Sequence, residues 1–173
     1  MSDIKIKQNS FMQNIFETNL KIDHDLFKKI NSYPLVKDKE LTTSYKTSLT
    51  KNLLKELQNY LNKYILAVGK ILNKNSYTLQ EVWIQKYRIA DYHNLHLHRT
   101  GKNFYSFILY IDFGMKSGIT RFFNIGYPYV VLYEYELKPI KGKCVIFLGA
   151  LPHESTPSRD NKKIIISGNI QYT

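Results

Sequence analysis

Asp91-Tyr92-His93-Asn94-Leu95-His96-Leu97-His98 packs three of the five histidines of this 173-residue chain into six residues. It lies between two runs, 82–89 and 104–113, that alternate with the two-residue period of β-strands. If His96-Leu97-His98 is extended, alternation sends both imidazoles to one face. Two imidazoles side by side on a rigid strand are half of a metal site. His93 has the opposite parity on a regular strand and is expected at the surface or behind the ligands.

A mononuclear site needs a third ligand from elsewhere. His24 falls in 23–32, which reads as a short helix capped by Asp23 and ended before Pro34, so a solvated position is expected. His153 follows the apolar run 144–148 and the turn Gly149-Ala150-Leu151-Pro152. It is expected near the start of the next strand, facing a sheet interior. Imidazole suits Fe(II), Zn, Cu and Ni. On spacing alone, satisfied core or surface histidines are the plainer account of the pattern.

Outward from the cluster, the C-terminal half is strand after strand. Runs 120–124, 130–135, 144–148 and 162–170 join the two already named, with Gly, Pro, Asn and Asp turn signals between them. Six or more strands on short loops predict an antiparallel barrel or a double-sheet jelly roll. The N-terminal half differs. Residues 10–20 predict a first strand covering a sheet edge, and 34–47 a polar loop. The stretch 48–72 carries Leu49, Leu53, Leu57, Leu61, Tyr64, Ile65, Val68 and Leu72 at three- and four-residue steps, a wide apolar stripe on one long helix. Ser48 or Thr47 is the expected cap. Helices first and strands after give an α+β chain, mainly β, with N-terminal helices buttressing a sheet. One domain is expected over 1–173, with 1–76 packed on a core formed by 77–173.

Trp83, His96-Leu-His98, Ser106 to Tyr110, Gly118 to Phe122, Pro139 with Gly142 and Phe147, His153 and Lys163 to Asn169 follow one another in an order that resembles the 2-oxoglutarate/Fe(II)-dependent oxygenases. The resemblance covers about 80–170 and is nearest to the small phage and bacterial H-x-H branch related to prolyl hydroxylases. It implies a double-stranded β-helix, cupin-like, with Fe(II) at its mouth, 2-oxoglutarate as cosubstrate and O2 as oxidant. It implies a dioxygenase that hydroxylates a substrate and releases succinate and CO2. Carried over residue by residue, His96, His98 and His153 hold the metal. Lys163 pairs with the distal carboxylate of 2-oxoglutarate, with Arg159 as the fallback. Ser106, Tyr110 and Asn169 complete the cosubstrate-binding set. Two departures stand out. The second ligand is His98 where the broader superfamily has a carboxylate, and Lys163 stands where an arginine is usual, giving a point charge in place of a bidentate fork. Tyr87, Tyr92, Tyr105, Tyr110 and Phe122 are candidate pocket walls.

Composition narrows the partners. Net charge is +11, spread as +6 over 1–80 and +5 over 81–173, so no basic arm or tail stands out. Such a balance permits weak attraction to nucleic acid, and a Lys/Asn-rich solvated surface is the plainer account. No apolar run reaches about 18 residues, so no transmembrane helix is expected. The opening Met-Ser-Asp-Ile-Lys-Ile-Lys lacks the apolar core of a signal peptide. One cysteine, Cys144, fits a reducing compartment, the cytoplasm or a host cytoplasm.

Two other readings compete. One is a three-histidine cupin-like metalloprotein that does not use 2-oxoglutarate. The other is a non-catalytic jelly-roll module acting on nucleic acid or in a virion. A cation deep in the barrel discriminates for the oxygenase, and scattered or solvated histidines for the module. The prime substrate, whether small molecule, peptide or nucleic acid, has no decodable motif; 34–47 and 126–135 are the loops expected to select it.

Overall fold

The computed structural model describes residues 6–11, 13–45, 48–124 and 134–173. In chain order they form β1 (Lys7–Phe11), β2 (Gln13–Asn19), α1 (His24–Ser32), β3 (Val36–Lys37), β4 (Thr42–Thr43), α2 (Lys51–Ile71), β5 (Tyr77–Lys86), β6 (His93–His96) and β7 (Phe104–Asp112). Then follow β8 (Thr120–Phe123), β9 (Glu134–Leu137), β10 (Lys143–Leu148), β11 (His153–Ser155) and β12 (Ile164–Tyr172). The strands make two antiparallel sheets. The large one runs β1-β2-β10-β7-β12-β5-β4-β3, and the small one β6-β11-β8-β9. Facing each other, they form the expected jelly roll of double-stranded β-helix type.

Alternation along β7 shows how two cores arise from one strand. Phe107, Leu109 and Ile111 point to the helices, where they meet Leu57, Leu61, Tyr64, Ile65 and Val68 of α2. Ile108 and Tyr110 point the other way, into the space between the sheets, with Phe122, Leu137, Phe147 and Ile165. Each fully buried Leu or Ile contributes about 1.5–3 kcal/mol. The Tyr64 hydroxyl, deep under α2, donates to Phe16 O at 2.7 Å, so this layer buries a polar group only with a partner.

The helices follow their end signals. Asp23 caps α1, its Oδ1 accepting from Leu26 N at 2.7 Å. For α2 the cap is Thr50, not Ser48, because Ser48 sits in a left-handed turn (φ 58°) just before the helix. Thr47 lies outside the described residues. Asn73, also left-handed (φ 57°), follows the last turn of α2.

Several strand bounds shift. The first strand expected over 10–20 is a hairpin of two, β1 and β2, and β2 covers the edge of β10. The loop expected over 34–47 contains β3 and β4, each two residues long and too short to carry a periodic pattern; β4 pairs with β5. The run 82–89 begins earlier, at Tyr77, and stops at Lys86. In place of 130–135 the described strand is Glu134–Leu137, and 125–133 lie outside the described residues. No helix among the described residues is long and apolar enough to cross a membrane.

Candidate metal centre

β6 is the edge of the small sheet, and its neighbour β11 brings His153 directly opposite His96. The strand ends at His96, two residues short of expectation, yet the chain stays extended enough for His98 N–H to bond Gly149 O at 2.9 Å. One ligand atom from each of His96, His98 and His153 falls within 4.8 Å of the others. His98 Nε2 lies 3.3 Å from His153 Nε2. A metal bonded to nitrogen at about 2.0–2.1 Å spans such a gap.

The rings are aimed from behind. His153 Nδ1 is 3.0 Å from Leu151 O, and His96 Nδ1 is 2.6 Å from Asn94 O. A proton on each Nδ1 satisfies these carbonyls and leaves each Nε2 lone pair free, the arrangement seen in metal-binding histidines. Trp83 stacks on His98 (5.6 Å, 29°), and Phe147 and Phe122 flank His153 at 4.8 and 5.8 Å. Burial lowers the basicity of all these imidazoles. His98 falls to about 4, through burial and then the neighbouring His96. His153 is pushed well below the ordinary range. Neutral imidazole is the ligand form, so the set fits a divalent metal.

Lys163 supplies the second half. It is fully buried, and its ammonium donates to Gly118 O (2.9 Å) and Ser155 Oγ (2.5 Å) and sits 4.3 Å from the centre of the Tyr87 ring. Among the described residues no carboxylate pairs with it. Burial lowers its pKa to about 7. An isolated buried cation is costly, and an anion delivered by a ligand removes that cost. Gly118 has to be glycine here: a Cβ would meet Thr156 O at 1.8 Å.

Two cavities meet at the histidines. The outer is a cleft of about 590 Å³ walled by Asp38, Glu40, Tyr45, Glu81, Trp83 and Arg99 among others. The inner, about 20 Å³, lies among Tyr87, Ile108, Thr120, Ser155 and Ile165, on the Lys163 side. It has room for about one water, so an anion the size of a keto acid must widen it. Trp83, Gln85, His93, His96 and His98 line both and form the partition.

The other expected site residues divide. The Tyr110 hydroxyl is buried against Thr120 Oγ1 at 2.5 Å, and Thr120 lines the inner cavity. Ser106 Oγ donates to Asn169 Oδ1 at 3.0 Å, and Asn169 Nδ2 donates to Glu81 on the outer cleft. These two residues thus face the outer end. Arg159, the fallback for Lys163, has its side chain exposed on the turn after Pro157, and its backbone N–H donates to Lys116 O. His24 is exposed, as expected. Of the candidate walls, Tyr87, Tyr110 and Phe122 lie between the sheets. Tyr105 instead packs on Tyr172 under the helices, and Tyr92 is surface-exposed.

His93 is the larger surprise. It stacks on His96 with ring centres 3.9 Å apart, on the same face. The cause is a bulge: three steps from His93 to His96 oppose two from His153 to Ser155. Residues with no sequence signal complete the surroundings: Gln85, Thr120 and Ser155 look like ordinary polar strand positions until the sheets close.

No family model matches the chain, and no curated protein matches it in sequence. Solved structures do match. A prolyl-4-hydroxylase from Pseudomonas putida superposes with TM-score 0.64 at 17% identity, over 90% of this chain and 91% of that one. The viral collagen prolyl hydroxylase of Paramecium Bursaria Chlorella virus-1, in complex with 2-oxoglutarate, gives 0.63 at 14%, over 92% and 96%. HygX from Streptomyces hygroscopicus, with nickel, 2-oxoglutarate and hygromycin B bound, gives 0.70 at 8%, over 93% and 84%. The chain therefore has the fold of the 2-oxoglutarate/Fe(II) oxygenases. Among the described residues, His96, His98 and His153 are the cluster in that fold that can hold a metal ion.

Proposed function

We propose that this chain is an Fe(II)- and 2-oxoglutarate-dependent dioxygenase, a hydroxylase that releases succinate and CO2. One observation carries the reading: a fully buried lysine, without a carboxylate partner among the described residues, stands behind three converging imidazoles. The three-histidine metalloprotein reading leaves Lys163 unexplained, and the nucleic-acid module leaves both halves unexplained.

His96, His98 and His153 would hold the iron through one nitrogen each and leave positions open for ligands. Three neutral imidazoles leave the ion's full double charge uncompensated, which favours a dianionic cosubstrate. When bound, iron with 2-oxoglutarate and O2 supplies the oxidation: the keto acid loses CO2 to become succinate, and one oxygen atom enters a substrate C–H bond. Lys163 would bind the distal carboxylate, with its ammonium already oriented by Gly118 O and Ser155 Oγ. Thr120, on the inner cavity, and its partner Tyr110 offer further hydroxyls. Trp83 and Phe147 wall the imidazoles from water.

The prime substrate enters by the outer cleft. The 34–45 segment supplies Asp38, Lys39, Glu40, Leu41, Thr43 and Tyr45 to that wall, which supports its part in selection. A small molecule, a peptide or a nucleic-acid end all remain chemically compatible with a cleft of this size. Weak, salt-sensitive attraction to nucleic acid follows from the +11 charge. The one cysteine, buried in β10, supports a cytoplasmic setting.

The test is anaerobic titration with Fe(II) and 2-oxoglutarate, watching for the weak visible charge-transfer band of the chelate, and then for succinate on admitting O2. If Lys163→Ala and His98→Ala both leave that band unchanged, the assignment is wrong.

A further inference from the structure

The weakest support in the site is under β6. Among the described residues it is an edge strand of four residues, paired only with β11, and it carries a bulge. Edge strands and bulges have few ladder bonds to fix their geometry. Yet this bulge decides where two imidazoles point: it turns His93 onto the face of His96, and the carbonyl of Asn94 within it orients the His96 ring.

The support comes from the other sheet. The β3–β4 hairpin is attached to β5, and its tip reaches across the cleft. Glu40 there grips Asn94 twice. Its Oε2 accepts from Asn94 N at 3.1 Å and its Oε1 from Asn94 Nδ2 at 2.5 Å. Its own carbonyl accepts from Tyr92 N at 3.2 Å. A second tie, Lys37 Nζ to Asp91 Oδ1 at 2.5 Å, holds the same hairpin to the start of the histidine stretch without touching Asn94.

We propose that Glu40 is a positioning residue for His96: its carboxylate clamps the Asn94 bulge, and the clamped carbonyl of Asn94 holds the His96 Nδ1–H and presents Nε2 to the metal. The inference rests on the metal-centre reading above. A carboxylate suits this place because it accepts two N–H groups at once and, when ionised, makes bonds roughly twice as strong as a neutral acceptor. Anchoring both the main-chain and side-chain N–H of one residue fixes that residue's orientation, and with it the direction of its carbonyl. Metal-binding histidines depend on such outer partners for tautomer and aim.

The metal-free protein carries its own probe. Trp83 is the one tryptophan and lies 5.6 Å from His98, so Co²⁺ entering the site quenches its fluorescence. Glu40→Ala is expected to weaken Co²⁺ binding about tenfold, the low end for a lost outer partner. Glu40→Gln, which keeps one acceptor, is expected to weaken it a few-fold. Lys37→Ala is the control: it loosens the hairpin and lowers the melting temperature but leaves Co²⁺ affinity near wild type. Imidazole ¹⁵N shifts of the metal-free protein report the His96 tautomer, Nδ1–H in wild type and mixed in Glu40→Ala. Wild-type affinity and tautomer in both Glu40 variants overturn the proposal. So does Lys37→Ala weakening Co²⁺ as much as Glu40→Ala, since the docked hairpin and not the carboxylate then matters. If the wild-type chain takes up no Co²⁺ at all, the metal reading fails by itself, and the tautomer signal alone decides for or against Glu40.

Discussion

The two faces of the large sheet are built on opposite terms. Toward α2 the sheet is closed and dry: Leu57, Leu61, Tyr64 and Ile65 are fully buried, and the tyrosine hydroxyl there has its acceptor. Toward the small sheet the same strands bury His153 and Lys163, whose natural partners, a cation and an anion, are not supplied by the neighbouring side chains. The first face holds the fold together. The second withholds charge compensation that a ligand can provide, and such an uncompensated charge marks a functional site better than the size of its cavity does.

This contrast is open to attack from both sides. The largest effect is expected from His153→Ala, which removes the central ligand. Co²⁺ affinity should fall by more than about 100-fold, beyond the range for outer partners, while circular dichroism still shows a folded protein. Next comes Lys163→Met. 2-Oxoglutarate affinity, measured calorimetrically on the metal-loaded protein, should fall on the order of 100-fold, and the ligand-free fold should gain about 1–4 kcal/mol in urea unfolding. A variant that loses both affinity and stability would place Lys163 in the structural layer.

From the dry side, Leu57→Ala should cost about 2–5 kcal/mol by the cavity it leaves, with Co²⁺ affinity retained. If metal affinity falls in step, the two faces are not independent.

A subtler effect is in pH. Burial lowers the Lys163 pKa to about 7, below its unfolded value of 10.5. Between those values the unfolded chain holds a proton that the folded chain does not. The contribution of this group to stability is therefore complete above 10.5 and is lost as pH falls toward 7. A carboxylate arriving beside it raises the pKa again. 2-Oxoglutarate binding should then take up a proton and weaken as pH rises above about 7, which calorimetry in buffers of different ionisation enthalpy can read. The smallest effect belongs to Arg159→Ala. With its side chain exposed, it should shift stability by less than about 0.5 kcal/mol and leave 2-oxoglutarate affinity alone.

Much of this was legible before any coordinates. The stripe from Leu53 to Val68 reads as a helix because 3.6-residue periodicity is local, and β7, β8 and β10 read as strands for the same reason. His96 and His98 follow from alternation, while the order of motifs through His153 and Lys163 resembled one family. Where the reading missed, the cause was non-local. The two-residue strands β3 and β4 have no period of their own and exist because β5 offers an edge. The bulge that turns His93 onto the face of His96, against the parity of a regular strand, exists because β6 is paired out of step with β11.

What the sequence alone determined, then, is the inventory: one amphipathic helix, a series of alternating strands, three imidazoles with ligand spacing and one lysine after them. These depend on steps of two and of three to four residues, which a linear chain records. What the tertiary structure decided is the company those residues keep. The bulge that brings His93 beside His96 is a mismatch between two strands, and a mismatch has no existence in either strand taken singly. Glu40 meets Asn94 across 54 residues, Ser155 of the small sheet meets Lys163 just ahead of β12 in the large one, and such meetings are set by how the sheets close, not by any local pattern.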